Sequence, residues 1–184
     1  MLNVPVNSRP MYCTVGSAAV LRPGCGPCGL GNGTFPSTAE TLNYKNFNHV
    51  TKAEAFPIPD AEGHLVRLTV REGVHIFENG ELGWYKAVLY ADIMKGAGPV
   101  DMYTTINFQD GSTITTHTKG RVEATTAGVQ TAAKWTGEII HGTGRFQGIK
   151  GTVTSSTKML PPEKGEQSGK SLSEGTYVYT LPNK

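Results

Sequence analysis

The tetrapeptide Cys25-Gly26-Pro27-Cys28 has the spacing of a redox-active dithiol. Such a pair needs a helix that begins at its first cysteine, because backbone N–H groups and the helix dipole there lower the pKa of the attacking thiol. Gly29, Gly31 and Gly33 follow the pair, and glycine is a poor helix former. We therefore expect no helix at this motif and no disulfide oxidoreductase activity.

A zinc site is the second chemistry that these thiols suggest. Cys13, Cys25 and Cys28 could bind zinc together with a fourth ligand such as His49. Zinc sites usually combine two paired sets of ligands, and this chain has one such pair. The odd number of cysteines also argues against a disulfide framework, so we expect reduced thiols, no metal and no cofactor.

Candidates for acid–base chemistry lie in the later part of the chain. Glu138 follows Trp135 closely, and a carboxylate in a dry cavity has the raised pKa that a general acid or base needs. Histidine is the side chain best suited to proton transfer near neutral pH, which makes His117 a candidate. Tyr90 and Asp92 could stabilise the oxygen of an enol or a quinone methide.

These residues define the predicted site. The catalytic candidates are Glu138, His117, Asp92 and Tyr90, and the substrate-binding candidates are Tyr103, Arg121, Glu54 and Trp135. Each also has an ordinary structural interpretation, since tyrosine is common in strands and charged pairs decorate the outside of sheets.

Strands must position these side chains. From about His49 onward, runs rich in Val, Ile, Thr and Tyr alternate with Gly, Asp and Pro, which is typical of antiparallel strands. Asp110-Gly111 and Asn79-Gly80 are signals for tight hairpin turns. We predict eight strands, at about 50–56, 64–72, 84–93, 101–109, 112–123, 133–141, 146–157 and 175–181, with an exposed loop over 161–175, no helix, and an irregular N-terminal arm over 1–48.

Alternation along these strands separates two faces. In 101–109, Met102, Ile106 and Phe108 share one face, and Tyr103 shares the other with Thr105 and Asn107. The odd positions of 112–123, among them His117 and Arg121, form a polar row. The pattern alone does not decide which of these faces meets an interior.

Composition excludes several classes of function. The 184 residues suit one domain, and the net charge of +2 comes from basic residues that are scattered along the chain. Nucleic-acid binding needs clustered Lys and Arg, so we expect no nucleic-acid partner. No run of apolar residues is long enough to span a membrane, and the N-terminal residues are a poor match to a secretory signal, so we expect a cytoplasmic protein, with secretion remaining open.

Eight antiparallel strands can form a sandwich or a closed barrel. The stretches IIHGTGRFQGIKGTVT (139–154) and GTYVYTL (175–181), with HVTKAEAFPIPDAEGH (49–64), resemble the allene oxide cyclase and dirigent superfamily, in the form of a small bacterial-type member. The glycines of the first stretch permit tight turns, and Phe146 is large enough to plug one end of a barrel. The resemblance implies an all-β, eight-stranded antiparallel β-barrel over 49–184, a cofactor-independent activity, and a homo-oligomer, with a trimer favoured.

Three functions follow from that resemblance. The first is an isomerase, cyclase or lyase that acts on a hydrophobic aromatic or lipid-derived small molecule in the barrel lumen. The second is a dirigent-like protein that binds such a molecule without chemistry of its own. The third is a structural oligomer whose lumen is filled by its own side chains.

Overall fold

The computed structural model describes residues 38–124, 130–160 and 169–182. These residues form eight strands: β1 (Glu40–Pro57), β2 (His64–Phe77), β3 (Leu82–Met94), β4 (Gly98–Phe108), β5 (Thr113–Ala124), β6 (Gln130–Thr143), β7 (Lys150–Met159) and β8 (Lys170–Thr180). A three-residue 3-10 turn, Gly144–Phe146, separates β6 from β7. Each of the eight predicted strands overlaps one of these strands, and the all-β fold class is confirmed.

The eight strands close into a barrel. Each strand pairs antiparallel with the next one, and β8 returns to pair with β1. The Asp110-Gly111 turn joins β4 to β5, as predicted, with Gly111 donating its N–H to the carbonyl of Phe108. Closure removes the unpaired strand edges that a sandwich would keep.

Side chains alternate between the lumen and the outer wall along each strand. On β4, Met102, Thr104 and Ile106 are buried inside the barrel, whereas Tyr103 and Asn107 face outward. By the same alternation, the odd-numbered residues of β5 that follow Thr113 face outward, and so do the even-numbered residues of β3. The polar rows found in the sequence therefore form the outer wall.

Aromatic side chains fill one end of the lumen, which we call the capped end. The rings of Phe77 and Phe108 are 5.4 Å apart, and those of Phe108 and Phe146 are 4.9 Å apart. Phe146 is buried in this cluster, which confirms its predicted role as a plug. Its position depends on the turn that precedes β7, where Gly144 and Gly148 adopt the positive φ angles that glycine tolerates best.

Arg145 ties the loops at the capped end together. Its guanidinium forms an ion pair with Glu81 and a second one with Asp110, where Nη1 lies 3.5 Å from Oδ2. The same group lies 4.6 Å from the centre of the Phe146 ring. Arg145 therefore has a structural role in this hairpin.

Two strands begin at least five residues earlier than predicted. β1 starts at Glu40 instead of residue 50, so residues 40–48 of the predicted arm belong to the barrel. β8 starts at Lys170, so the second part of the predicted loop is also strand. Asn46 and Asn48 on the inward face of β1, and Ser171 and Ser173 on that of β8, are polar, so these parts of the extensions lack the apolar alternation by which strands were predicted.

The remaining predictions about the N-terminal segment and the loops concern residues that the structure does not describe. Residues 1–37, which include Cys13, Cys25 and Cys28, lie outside the described residues, as do 161–168 of the predicted loop. In the described part of the chain, no helix is long and apolar enough to cross a membrane.

Candidate functional site

The lumen between the capped end and the opposite end of the barrel has a polar lining. Its void measures about 40 Å³ and lies among side chains from all eight strands. A void of this size has room for about three water molecules. Asn46, Asn48, Arg71, His75 and Ser171 line it, and each is at least nine-tenths buried.

A chain of hydrogen bonds connects these residues across three strands. Asn48 donates its side-chain N–H to Asn46 Oδ1, and Asn46 Nδ2 lies 3.0 Å from His75 Nδ1. Asn46 Nδ2 also donates to the carbonyl of Val74. Since Asn46 Oδ1 accepts from Asn48, its nitrogen is the donor toward His75, and the proton of the neutral imidazole resides on Nε2.

His75 Nε2 has no hydrogen-bond partner among the described residues. The imidazole is 2% exposed, and burial lowers the pKa of His75 from its ordinary value of 6.5 to about 3. The ring stacks on Tyr44 at 4.2 Å and on Tyr85 at 5.3 Å between ring centres. His75 is therefore neutral and rigidly held, and its Nε2–H donates to none of the described residues.

Arg71 lies on the same inward face of β2 as His75. Its Nε donates to Asn48 Oδ1 at 2.6 Å, and its Nη2 donates to Ser171 Oγ at 2.9 Å and to the carbonyl of Gly169 at 3.2 Å. All three acceptors are neutral. Burial is the main cause of the lowered pKa of Arg71; the interaction with Tyr85 opposes this effect, and repulsion from Arg67 on the same strand adds to it.

Tyrosines supply further hydroxyl groups to the lumen. Burial raises the pKa of Tyr85 and Tyr177 well above the ordinary value of 10, and it raises that of Tyr44 as well. These phenols stay protonated at physiological pH and can donate hydrogen bonds. Trp135 completes the wall, with Nε1 donating to Thr157 Oγ1 at 3.0 Å.

The structure places most of the predicted site residues on the outer wall. Trp135 alone among the eight is buried and lines the void. The other seven point away from the lumen because of strand alternation: Glu54, Tyr90, Asp92, Tyr103, His117, Arg121 and Glu138. Their side chains therefore lie on the outside of the barrel, apart from the void.

Some of these outward residues do come together. The rings of Tyr103 and His117 stack at 4.4 Å, and His117 Nε2 lies 2.9 Å from Asp101 Oδ1. Glu138 is the cross-strand partner of His117 on β6. Half-exposed side chains in this arrangement are an ordinary way to decorate a sheet.

Asp92 belongs to a separate group near the β1–β2 turn. It accepts from His64 Nε2 at 2.8 Å, while Asp60 contacts His64 Nδ1 at 2.5 Å. Hydrogen bonds to Asp60 and Asp92 raise the pKa of His64. This group links the turn to β3, and it lies apart from the void.

The polar residues that line the lumen lie outside the predicted site. Asn46 and Asn48 fall in the predicted arm, Ser171 in the predicted loop, and His75 beyond the predicted end of β2. One signal was present, since Tyr44, Asn46 and Asn48 alternate with Lys45 and Phe47. Alternation of polar residues with other polar residues is invisible to a search for apolar periodicity.

The lumen is equipped to bind and orient a molecule. Donors dominate its lining, and the buried polar side chains of the described residues include no Asp or Glu. The histidine and the tyrosines have pKa values displaced far from neutrality, whereas general acid–base catalysis works best with a pKa near the operating pH. The fold and this lining define an eight-stranded barrel with a small, donor-rich polar lumen.

No protein-family model matches the sequence, and no curated protein matches it. Among solved structures, the chain is similar to the pterocarpan synthase dirigent protein GePTS1, with 13% identity over 79% of this chain and 93% of that chain and a TM-score of 0.47. It is also similar to the pterocarpan synthase dirigent protein PsPTS1, with 16% identity over 82% of this chain and 100% of that chain and a TM-score of 0.45. At these values neither structure assigns a family or an activity to the chain.

Proposed function

We propose that the protein binds a small molecule in the barrel lumen and holds it in one orientation without chemistry of its own. The buried polar lining carries this proposal. Arg71, His75 and the two asparagines occupy positions where a purely structural barrel would place apolar residues. Burial of such groups opposes folding unless every donor finds a partner, and His75 Nε2 has none among the described residues.

The size of the void limits what enters without rearrangement. About 40 Å³ accepts the polar group of a ligand but no aromatic ring. Met102 and Met159 also line the void, and methionine side chains are flexible enough to repack around a guest. A hydrophobic or aromatic portion of the ligand would therefore displace these two side chains.

The pKa values favour holding over catalysis. General acid–base catalysis by an isomerase, cyclase or lyase works best with a group whose pKa lies near neutral pH. Burial keeps His75 neutral and the lumen tyrosines protonated, so these side chains supply fixed hydrogen bonds. Fixed donors around a ligand are what orientation of a reactive molecule requires.

Trp135 provides a direct test, because its indole lines the void. In a Trp84→Phe background it is the only tryptophan, and titration with benzyl alcohol, benzamide and benzoate reports occupancy through its fluorescence. We expect saturable binding of at least one probe without turnover. If no probe changes Trp135 fluorescence, and native mass spectrometry of the purified protein finds no bound molecule, the lumen is a filled structural core.

A pair of adjacent threonines on β4 gives a matched control. Thr104 lines the void and Thr105 faces outward. Thr104→Met should fill the void and abolish probe binding, whereas Thr105→Met should leave it unchanged. Equal effects of both substitutions would contradict a lumen site, and product formation from any bound molecule would replace holding with catalysis.

A further inference from the structure

Arg71 is a buried cation whose hydrogen-bond partners are all neutral. Its contacts are Asn48, Ser171 and the carbonyl of Gly169, and the described residues supply it with no Asp or Glu. Buried charges in proteins are normally paired with an opposite charge. A guanidinium that lines a void and has only neutral partners among the described residues is therefore placed to meet an anionic ligand.

The geometry leaves one edge of the guanidinium open. Three hydrogen bonds occupy the single proton of Nε and both protons of Nη2. These three bonds do not use Nη1, whose N–H groups can donate a charge-assisted hydrogen bond to one oxygen of a carboxylate. The three neutral contacts hold the side chain, so little rotamer entropy is lost when an anion binds.

A second charge strengthens the positive potential at this position. Arg67 occupies another inward position on β2, and its charge disfavours the charged form of Arg71. An anion between β2 and the opposite wall would relieve this repulsion. In a buried environment such an interaction is screened much less than on the surface.

His75 supplies another donor to the same void. Its Nδ1 accepts from Asn46, so Nε2–H is the free donor, and the ring is clamped between Tyr44 and Tyr85. Arg71 and His75 both line the void of about 40 Å³.

We infer that the lumen contains an oxyanion subsite formed by Arg71 and His75, and that the ligand carries a carboxylate. This inference rests on the proposed function and names the chemical class of the ligand. The carboxylate occupies the void, and the remainder of the molecule extends toward Met102 and Met159. Neutral molecules of the same shape bind more weakly because they leave the guanidinium without a counter-charge.

Benzoate and benzamide test the inference, since they have nearly the same shape and differ in charge. Titrations of the Trp84→Phe protein at constant ionic strength, followed by Trp135 fluorescence and calorimetry, should show at least about tenfold tighter binding of benzoate. Arg71→Met should remove this preference, and Arg71→Lys should retain part of it. Arg121→Met is the matched control, because it removes the same charge from the outer wall, and it should leave the preference intact.

Measurements on the unsubstituted protein test the inference without depending on whether the Arg71 variants fold. Acetate should raise the melting temperature more than acetamide does at equal concentration and ionic strength. Equal binding of benzoate and benzamide overturns the oxyanion subsite while leaving a lumen site in place. A preference that survives Arg71→Met also overturns it, and an absence of binding by every probe overturns the proposed function itself.

Discussion

At the scale of single residues, burying polar side chains in the lumen lowers the stability of the fold. His75 is the clearest case, because an imidazole that is 2% exposed is shielded from the water that would stabilise its charged form. Its Nδ1 is committed to Asn46, and its two faces are covered by Tyr44 and Tyr85. The pKa of about 3 in the folded protein is a direct result of this burial.

This pKa predicts a pH dependence of stability. The unfolded chain takes up a proton at His75 near pH 6.5, whereas the folded protein does so only near pH 3, so the unfolded state binds more protons between these values. The contribution of His75 to the free energy of unfolding is complete above pH 6.5. As the pH falls below this value, the free energy of unfolding decreases by up to about 1.4 kcal/mol per pH unit. Urea unfolding of the protein and of His75→Gln between pH 4 and pH 7 measures the difference in slope.

His141→Gln is the control for that experiment, because His141 is exposed on the outer wall. It should keep the slope of the unsubstituted protein, and His75→Gln should reduce it. Identical slopes for His75→Gln and the unsubstituted protein would show that the pKa of His75 is the same in the folded and unfolded states.

At the scale of elements, the network depends on the close approach of β1 and β2. Gly73 lies between Arg71 and His75 on the inward face, and a Cβ built on it would lie 2.1 Å from the carbonyl oxygen of Phe47 and 2.6 Å from Asn48 Cα. Both of these are backbone atoms. Glycine at this position is what lets β1 place Asn48 between the arginine and the histidine.

Gly73→Ala should therefore destabilise the barrel, because β1 must shift away from β2 at Asn48. Overpacking of this kind typically costs about 1–3 kcal/mol. Gly169→Ala is the matched control, since nothing lies within 4 Å of a Cβ at that position. Chemical denaturation compares the two variants, and equal free energies of unfolding would show that the strands accommodate the methyl group without a shift.

At the scale of the whole molecule, the outer wall of β1–β4 carries an exposed apolar face. It includes Phe47, Phe56, Leu68, Trp84, Val88, Tyr90 and Tyr103, each of which is at least 40% exposed. Trp84 is the most exposed of these, at 67%. Contiguous apolar surface on this scale is typical of an interaction site.

We expect the protein to self-associate through this face, and the trimer implied by the family resemblance is the stoichiometry to test. Sedimentation velocity should find a species larger than the 19.7 kDa chain. Tyr90→Lys with Trp84→Lys should dissociate it, because lysine carries a charge that must be desolvated in an apolar contact. Thr152→Lys, on the outer wall of β7, is the control; a monomeric parent protein would contradict self-association.

The sequence by itself determined the number of strands, their approximate positions, the Asp110-Gly111 turn and the aromatic plug at Phe146. These are local properties, because alternation, turn residues and a large apolar side chain act within a few neighbouring positions. The closed barrel followed from the resemblance, and the structure confirmed it.

Tertiary structure decided which face of each strand is inside, and with it the candidate site. Glu138, His117 and Asp92 have suitable chemistry, but the register of the closed barrel turns them outward. The residues that meet in the lumen come from positions far apart in the chain, such as Asn48 and Ser171. Their adjacency is created by the pairing of β1 with β8, and no local pattern in the sequence records which strand closes the barrel.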